Sequence, residues 1–355
     1  TEDGIQGVGE STAFAFPKNV AEIIKSFEPF LIGADAHDVE QNWLKMYRAL
    51  GWRGLTLGGA ISAIDQACWD IRGRIFETPV WHLLGGRSRK AVRGMKVVFG
   101  ATKESLINES LTAQKEGFTA IKVILHQHEH HGKRHAEKIA DLVDRMAALR
   151  DAVGNTLDIG IELHRNMQPG NSIALIQELM PYRPLFVEDP IPPDSVLSFG
   201  EVSAKVDTPM AAGERNTSIY EFREYIEHAG LSFVRPDIGL AGGFTHVRKI
   251  CAMAEAHHQG VLPHAVPSGA IATMAHIHMG LTAPNWEAQE HIDQNVDPVR
   301  QMVKRIPTLK DGWLYPFDEP GLGMEINDEF FATNPPVTVH GVKPDLREDG
   351  SVALR

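Results

Sequence analysis

The chain has only two cysteines in 355 residues, Cys68 and Cys251, so there is no disulfide framework to read. Both stand in apolar, helix-like contexts (AISAIDQACWDI and RKICAMAEA) and are expected to be small core residues in a reduced, cytoplasmic setting. No apolar run approaches the ~18 residues of a spanning helix, which argues against a transmembrane segment. Basic residues are in the minority: 35 Lys and Arg face 46 Asp and Glu, a net charge of −11. That balance speaks against nucleic-acid binding and against docking on an anionic membrane, and an anionic substrate then needs local cations at its site. No GxGxxG follows the first strand-like run, so the signature of a doubly wound dinucleotide-binding sheet is missing. No signal peptide is recognised; the opening TEDGIQGVGES reads as the middle of a hairpin, with sequence expected upstream of it. What is present, 43% apolar and 23% charged residues, is an ordinary globular composition.

Residues 1–92 read mainly as helix from about residue 18. In LTLGGAISAIDQACWDIRGRIF the positions Ala60, Ile64, Cys68, Ile71 and Ile75 recur at three- and four-residue spacing, which predicts one apolar face of an amphipathic helix stopped by Thr78-Pro79. From 93 to 305 the texture changes. Eight short apolar runs (95–100, 119–125, 157–163, 184–188, 209–214, 231–237, 260–264 and 284–290) alternate with helical stretches such as 136–152, 171–180 and 244–258. Apolar strands separated by helices predict parallel strands buried on both faces, and eight units predict a (β/α)8 barrel. The Pro- and Gly-rich stretch 306–355 is expected to return and pack on the first 90 residues.

The residues ending the later strands are Glu162, Glu188, Glu214, Asp237, His264 and Glu290, spaced by 26, 26, 23, 27 and 26. One βα unit takes about that length, so the six side chains are predicted to meet on the rim where barrel enzymes carry their catalytic residues. Glu162, Glu188 and Glu214 on adjacent strands repel one another unless a hard cation lies between them; oxygen ligands in that number suit Mg²⁺. Asp237 behind His264 fixes the imidazole tautomer and makes His264 a candidate general base. His164, two positions after Glu162, is expected on the same side of an extended strand. Lys122 is a candidate donor to a substrate carboxylate.

These residues sit within GVGES (7–11), AIDQACWDIRGRIFETPVWHLLGG (63–86), AIKV (120–123), IELH (161–164), PYRPLFVEDP (181–190), PMAAGER (209–215), RPDIGLAGGFTH (235–246), LPHAVPSG (262–269), NWEAQE (285–290) and PGLGMEI (320–326). Together the motifs resemble the enolase superfamily, its mandelate racemase/muconate lactonizing branch, and within that the sugar-acid dehydratases of the galactonate type. The resemblance implies a (β/α)7β modified TIM barrel under an α+β capping domain built from both ends of the chain, and a symmetric homo-oligomer. It implies Mg²⁺ held by Glu162, Glu188 and Glu214, and removal of the C2 proton of an aldonate by His264 backed by Asp237. His164 would protonate the departing 3-hydroxyl, giving a 2-keto-3-deoxy acid. Glu290 would hold the substrate carboxylate, either protonated or through a neighbour. His126, Arg165 and Trp286 are the candidate substrate contacts.

Three departures from the family pattern bear on this reading. Lys122-Val123-Ile124 stands where racemases carry Lys-x-Lys, which disfavours two-base racemisation through a second lysine. Glu162 replaces the usual Asp. Arg165-Asn166 replaces Gly-Arg after His164. Epimerisation with another second base, and a catalytically silent metabolite-binding relative, are the competing readings. The segment HQHEHHGKRH (126–135) is read as a polar loop near the active-site mouth, since a structural zinc site lacks cysteines or a second cluster. His276 and His278 are read as packing or surface residues.

Overall fold

The computed structural model describes residues 1–13, 16–337, 343–347 and 349–353. Eight parallel strands form the centre: β1 (Val92–Val98), β2 (Ala120–Ile124), β3 (Asp158–Glu162), β4 (Phe186–Glu188), β5 (Met210–Ala212), β6 (Phe233–Val234), β7 (Gly260–Val261) and β8 (Gln289–His291). Each pairs with the next up to β7; β8 pairs with β1, and a bridge between Val261 and Trp286 closes the ring. The side chains alternate across this sheet. Ile121, Val123, Ile159, Ile161 and Val187 face outward into the main core. Met95, Ala120, Phe186, Ala211, Leu262 and Ala288 form a separate apolar layer inside the barrel. Phe186 fills the axis over Gly160, where an added Cβ would fall 2.3 Å from the ring. Lys122, Glu162, Glu188 and Glu290 share the parity of this inner layer, so alternation alone carries them to the barrel mouth.

Seven helices alternate with the eight strands. With three capping helices before them, the longer helices are α1 (Pro17–Ser26), α2 (Val39–Ala49), α3 (Leu55–Ile75), α4 (Lys103–Lys115), α5 (His135–Val153), α6 (Pro169–Leu179), α7 (Val196–Ser203), α8 (Ile219–His228), α9 (Gly243–Ala256) and α10 (Ala270–Thr282). The barrel is therefore of (β/α)7β form rather than the (β/α)8 that eight strand-like runs suggest, because β8 is followed by a short 3-10 turn and a hairpin instead of an eighth helix.

α3 lies against α9 and carries the link between the two parts. Its expected apolar stripe is only half of its contact surface. Ile75 is 37% exposed, whereas Ser62, Asp65, Gln66 and Asp70 are buried. The helix is covered on several sides, and its polar positions bond across the interface. The residues before it do not form the expected hairpin; 1–13 contain no strand. Instead they run along α3, with the Val8 N–H donating to Asp70 and the Glu10 N–H to Gln66. Gly7 and Gly9 permit this approach, since added Cβ atoms would lie 2.3 and 2.0 Å from the Ala67 and Ala63 carbonyl oxygens.

After β8 a hairpin, β9 (Thr308–Lys310) and β10 (Trp313–Tyr315), pairs antiparallel with the start of β1. Gly321 then bridges to Pro79, and the Leu322 N–H donates to Asp70 of α3. Farther on, Asp345 lies 3.1 Å from His128 and 3.3 Å from His131 in the loop after β2. Among the described residues no helix is long and apolar enough to cross a membrane.

Candidate active site

Glu162 and Glu188 are the last residues of β3 and β4 and stand in register. Glu214 lies two residues beyond β5. The three offer carboxylate oxygens all within 4.8 Å of one another, and all three side chains are buried. Lys122 reaches Glu162 at 3.1 Å and Glu188 at 3.0 Å, and also pairs with Glu290. Arg235 bridges Glu188 and Glu290; Arg165 bridges Asp189 and Glu214.

Counting the buried groups shows what this cluster lacks. Six carboxyl groups (Glu162, Glu188, Asp189, Glu214, Asp237, Glu290) face three permanent cations (Lys122, Arg165, Arg235). A divalent ion would offset most of that deficit. Burial and like charges act accordingly: burial raises Glu162, and burial reinforced by Glu162 pushes Glu188 up to about 8 against the pull of Arg235. Burial also acts to raise Glu214, but the charges of His264 and Arg165 overcome it and hold that carboxyl well below its usual range. Three convergent, hard oxygen donors short of positive charge fit a divalent ion such as Mg²⁺.

The second group is a relay. Asp237 Oδ2 hydrogen-bonds His264 Nδ1 at 2.8 Å. Asp237 Oδ1 accepts from the Thr12 hydroxyl and from the Gly239 N–H, both at 2.8 Å. His276 Nε2 accepts the Ile238 N–H at 2.9 Å and lies 3.7 Å from the same carboxylate. Burial would depress the His264 pKa, but Glu214, the Asp237 hydrogen bond and Glu290 raise it to about 9. His264 Nε2 points toward Glu214 at 3.5 Å, so the relay ends at the carboxylate cluster.

Several expected positions take other forms. Asp237, His264 and Glu214 stand two or three residues past their strands, because β5, β6 and β7 are shorter than the apolar runs suggest. His164 is no longer on a strand: it and Arg165 adopt left-handed backbone (φ 55° and 65°), and the His164 N–H turns back to donate to Glu162 Oε1 at 2.7 Å. Burial and Arg165 press His164 down to about 3. Burial opposes ionisation of Glu290, but Lys122 and Arg235 outweigh it and bring its pKa to about 2; the Ala265 N–H also donates to it. The ion pairs with Lys122 and Arg235 favour the ionised form of Glu290, the form that acts through a neighbour. Arg165 is buried on Asp189 and Glu214 rather than extended toward a sugar chain. Trp286 is packed in the core against Gly280 and His276 of α10 and is not among the groups at the carboxylates. His126 is buried, neither ring nitrogen is hydrogen-bonded among the described residues, and burial reinforced by His130 depresses it to about 2.

In the His-rich loop, His130 pairs with Asp141 at 2.7 Å, where Lys133 also binds. His276 and His278 are fully buried packing residues. Sequence reasoning missed Asp189, Arg235 and Thr12. The signal for the first two was present, since each directly follows a strand and lies inside a quoted motif, but nothing in the spacing says which carboxylate each one meets.

Residues 1–85 match the family described as the mandelate racemase/muconate lactonizing enzyme N-terminal domain, and residues 106–330 match the family described as enolase C-terminal domain-like. A D-galactonate dehydratase from Pectobacterium atrosepticum is 34% identical over 93% of this chain and 87% of its own length. Another from Cronobacter sakazakii is 34% identical over 99% of this chain and 94% of its own. Among solved structures, an enolase from Agrobacterium radiobacter, described as a candidate galactarate dehydratase with bound sodium and L-malate, has a TM-score of 0.94 at 26% identity, covering 100% of this chain and 94% of that one.

Proposed function

Because the chain belongs to the mandelate racemase/muconate lactonizing enzyme family of the enolase superfamily, we propose that it dehydrates a sugar acid to a 2-keto-3-deoxy acid with Mg²⁺ as its metal. The observation that carries this reading is the convergence of three buried carboxylates beside the His264–Asp237 pair.

The chemistry begins at a very weak carbon acid, the C2–H next to a carboxylate. Glu162, Glu188 and Glu214 would hold the ion. When bound, it supplies the positive charge that the developing enediolate requires. Glu214 is the main charge that holds His264 protonated, and a cation held there would cancel it; the neutral imidazole then takes the C2 proton on Nε2, and Asp237 stabilises the resulting imidazolium. Lys122, fixed among Glu162, Glu188 and Glu290, supports the substrate carboxylate; Glu290 acts by holding Lys122 and Arg235 in place. The electron pair from C2 then expels the 3-hydroxyl, and His164 gives it a proton so that water leaves. An anionic substrate opposite His164 raises its low pKa, so binding itself favours loading that proton. His126 offers unpartnered ring nitrogens next to His164 and is the further substrate contact. The resulting enol tautomerises to the keto acid.

The test is incubation with a panel of hexonates, assaying 2-keto-acid formation with and without EDTA. Keto acid that disappears on chelation and returns with Mg²⁺ is expected. His264→Asn abolishes it. Exchange of the C2 proton in D₂O with no keto acid from any substrate points to epimerisation and overturns dehydration.

A further inference from the structure

The barrel rim carries a second group of cations that this chemistry leaves unused. His131 comes from the loop after β2, Lys138 from the first turn of α5, Asn166 and Gln168 from the loop after β3, and Asn171 from the first turn of α6. The C-terminal segment lays Arg347 across them, and together they line a cavity of about 260 Å³. Among the described residues, neither Lys138 nor Arg347 has a carboxylate within ion-pair distance. Asp345, two residues before Arg347, meets His128 and His131 instead, and Arg347 donates to the Ser351 hydroxyl at 3.3 Å. Burial and the nearby Arg347 charge lower the Lys138 pKa. The N-cap residues of α5 and α6 make no side-chain capping bond, and both helices begin at this cavity. An ammonium, a guanidinium, three carboxamides and two helix starts make a polar cavity suited to an oxyanion.

The cavity adjoins the reaction site through two residues. Asn166 directly follows Arg165, which holds Glu214. The His126 ring lies 5.0 Å from that of His131, and its charge state is felt by Lys138 on one side and His164 on the other.

We infer that the cavity receives the terminal carboxylate of a sugar diacid, so that aldarates are preferred over aldonates. This rests on the proposed dehydration, with its substrate class made narrower. Asp349, outside the cavity lining, feels the Arg347 charge, but the hydroxymethyl end of an aldonate puts no negative charge between Lys138 and Arg347; a carboxylate there engages both through charge-assisted hydrogen bonds.

The experiment compares matched pairs of equal chain length and stereochemistry, galactarate with galactonate and glucarate with gluconate, using the Mg²⁺-loaded protein. A diacid preference of about ten-fold or more in kcat/KM is expected, the size of one well-placed ionic contact. Lys138→Met and Arg347→Met each cut the diacid-to-monoacid ratio about ten-fold, chiefly through KM. Equal kcat/KM for the members of a pair, or a ratio unchanged in both variants, overturns the inference. Should neither acid be turned over, dehydration itself has failed, and calorimetric binding decides the cavity separately. Tighter binding of the diacid that is weakened in both variants supports the site, and equal binding overturns it. Inorganic phosphate that binds without competing with the diacid marks an independent anion site and also overturns it.

Discussion

The Thr12 hydroxyl, from the extended N-terminal segment, reaches Asp237 on the far side of the sequence and holds the oxygen that His264 does not use. It touches neither the imidazole nor the carboxylate cluster, so it is a positioning residue. Thr12→Val keeps the shape and removes the donor. We expect kcat to fall about ten-fold with KM little changed, and Thr12→Ser to restore it, as measured by steady-state kinetics. At this scale the acids and His264 were legible because they recur once per βα unit. Arg165, Arg235 and Trp286 were not. Whether an arginine meets a substrate or a neighbouring carboxylate depends on which loops come together, and a tryptophan just before a strand can face the mouth or the helices. Asp189 and Arg235 show the same gap from the other direction: both lay inside recognised motifs, and their partners come from other strands.

Among elements, the capping part reaches into the barrel with carboxylates. Asp65 of α3 accepts the Thr245 N–H in the first turn of α9 at 3.0 Å, and Glu10 accepts the Gly269 and Ala272 N–H groups at the start of α10. Both barrel helices begin at glycines, Gly242 and Gly269, with no side-chain cap of their own. The two acids therefore cap helices from another part of the chain. Burial pushes the Asp65 carboxyl up to about 7 despite donation from Thr245. A raised folded pKa stabilises the protein fully below the ordinary carboxyl value near 4, and that stability is lost as pH rises to about 7. Asp65→Asn keeps an acceptor and cannot ionise. Its stability relative to the parent should climb with pH across this window by up to about 1.4 kcal/mol per unit, measured by urea unfolding at a series of pH values. The repeating apolar positions of α3 revealed the helix but not its burial, because periodicity marks apolar faces and is blind to a polar face that is buried by bonding.

Across the whole molecule, eight strands with helices between them were readable from alternating textures, since parallel strands buried on both faces leave short continuous apolar runs. Where each strand ends was not: the strands end at Ala212, Val234 and Val261, while the apolar runs continue into the loops that carry the site. The excess of buried carboxylates makes a further prediction. Mg²⁺ should raise the melting temperature of the metal-free protein by several degrees, as mass action on a folded-state site requires. Glu188→Gln should abolish most of that shift, read by differential scanning fluorimetry. An undiminished shift in the variant would place the ion elsewhere.

The stretch from Gly7 to Thr12 threads between α3 and the barrel, and two of its residues support α10 and the Asp237 pair. For anyone recombining this protein with a homologue, that segment is the wrong place for a crossover. An exchanged N-terminal portion must bring the equivalents of Glu10 and Thr12 with it. Otherwise, the chimera inherits a new lid at the expense of its own proton-transfer geometry.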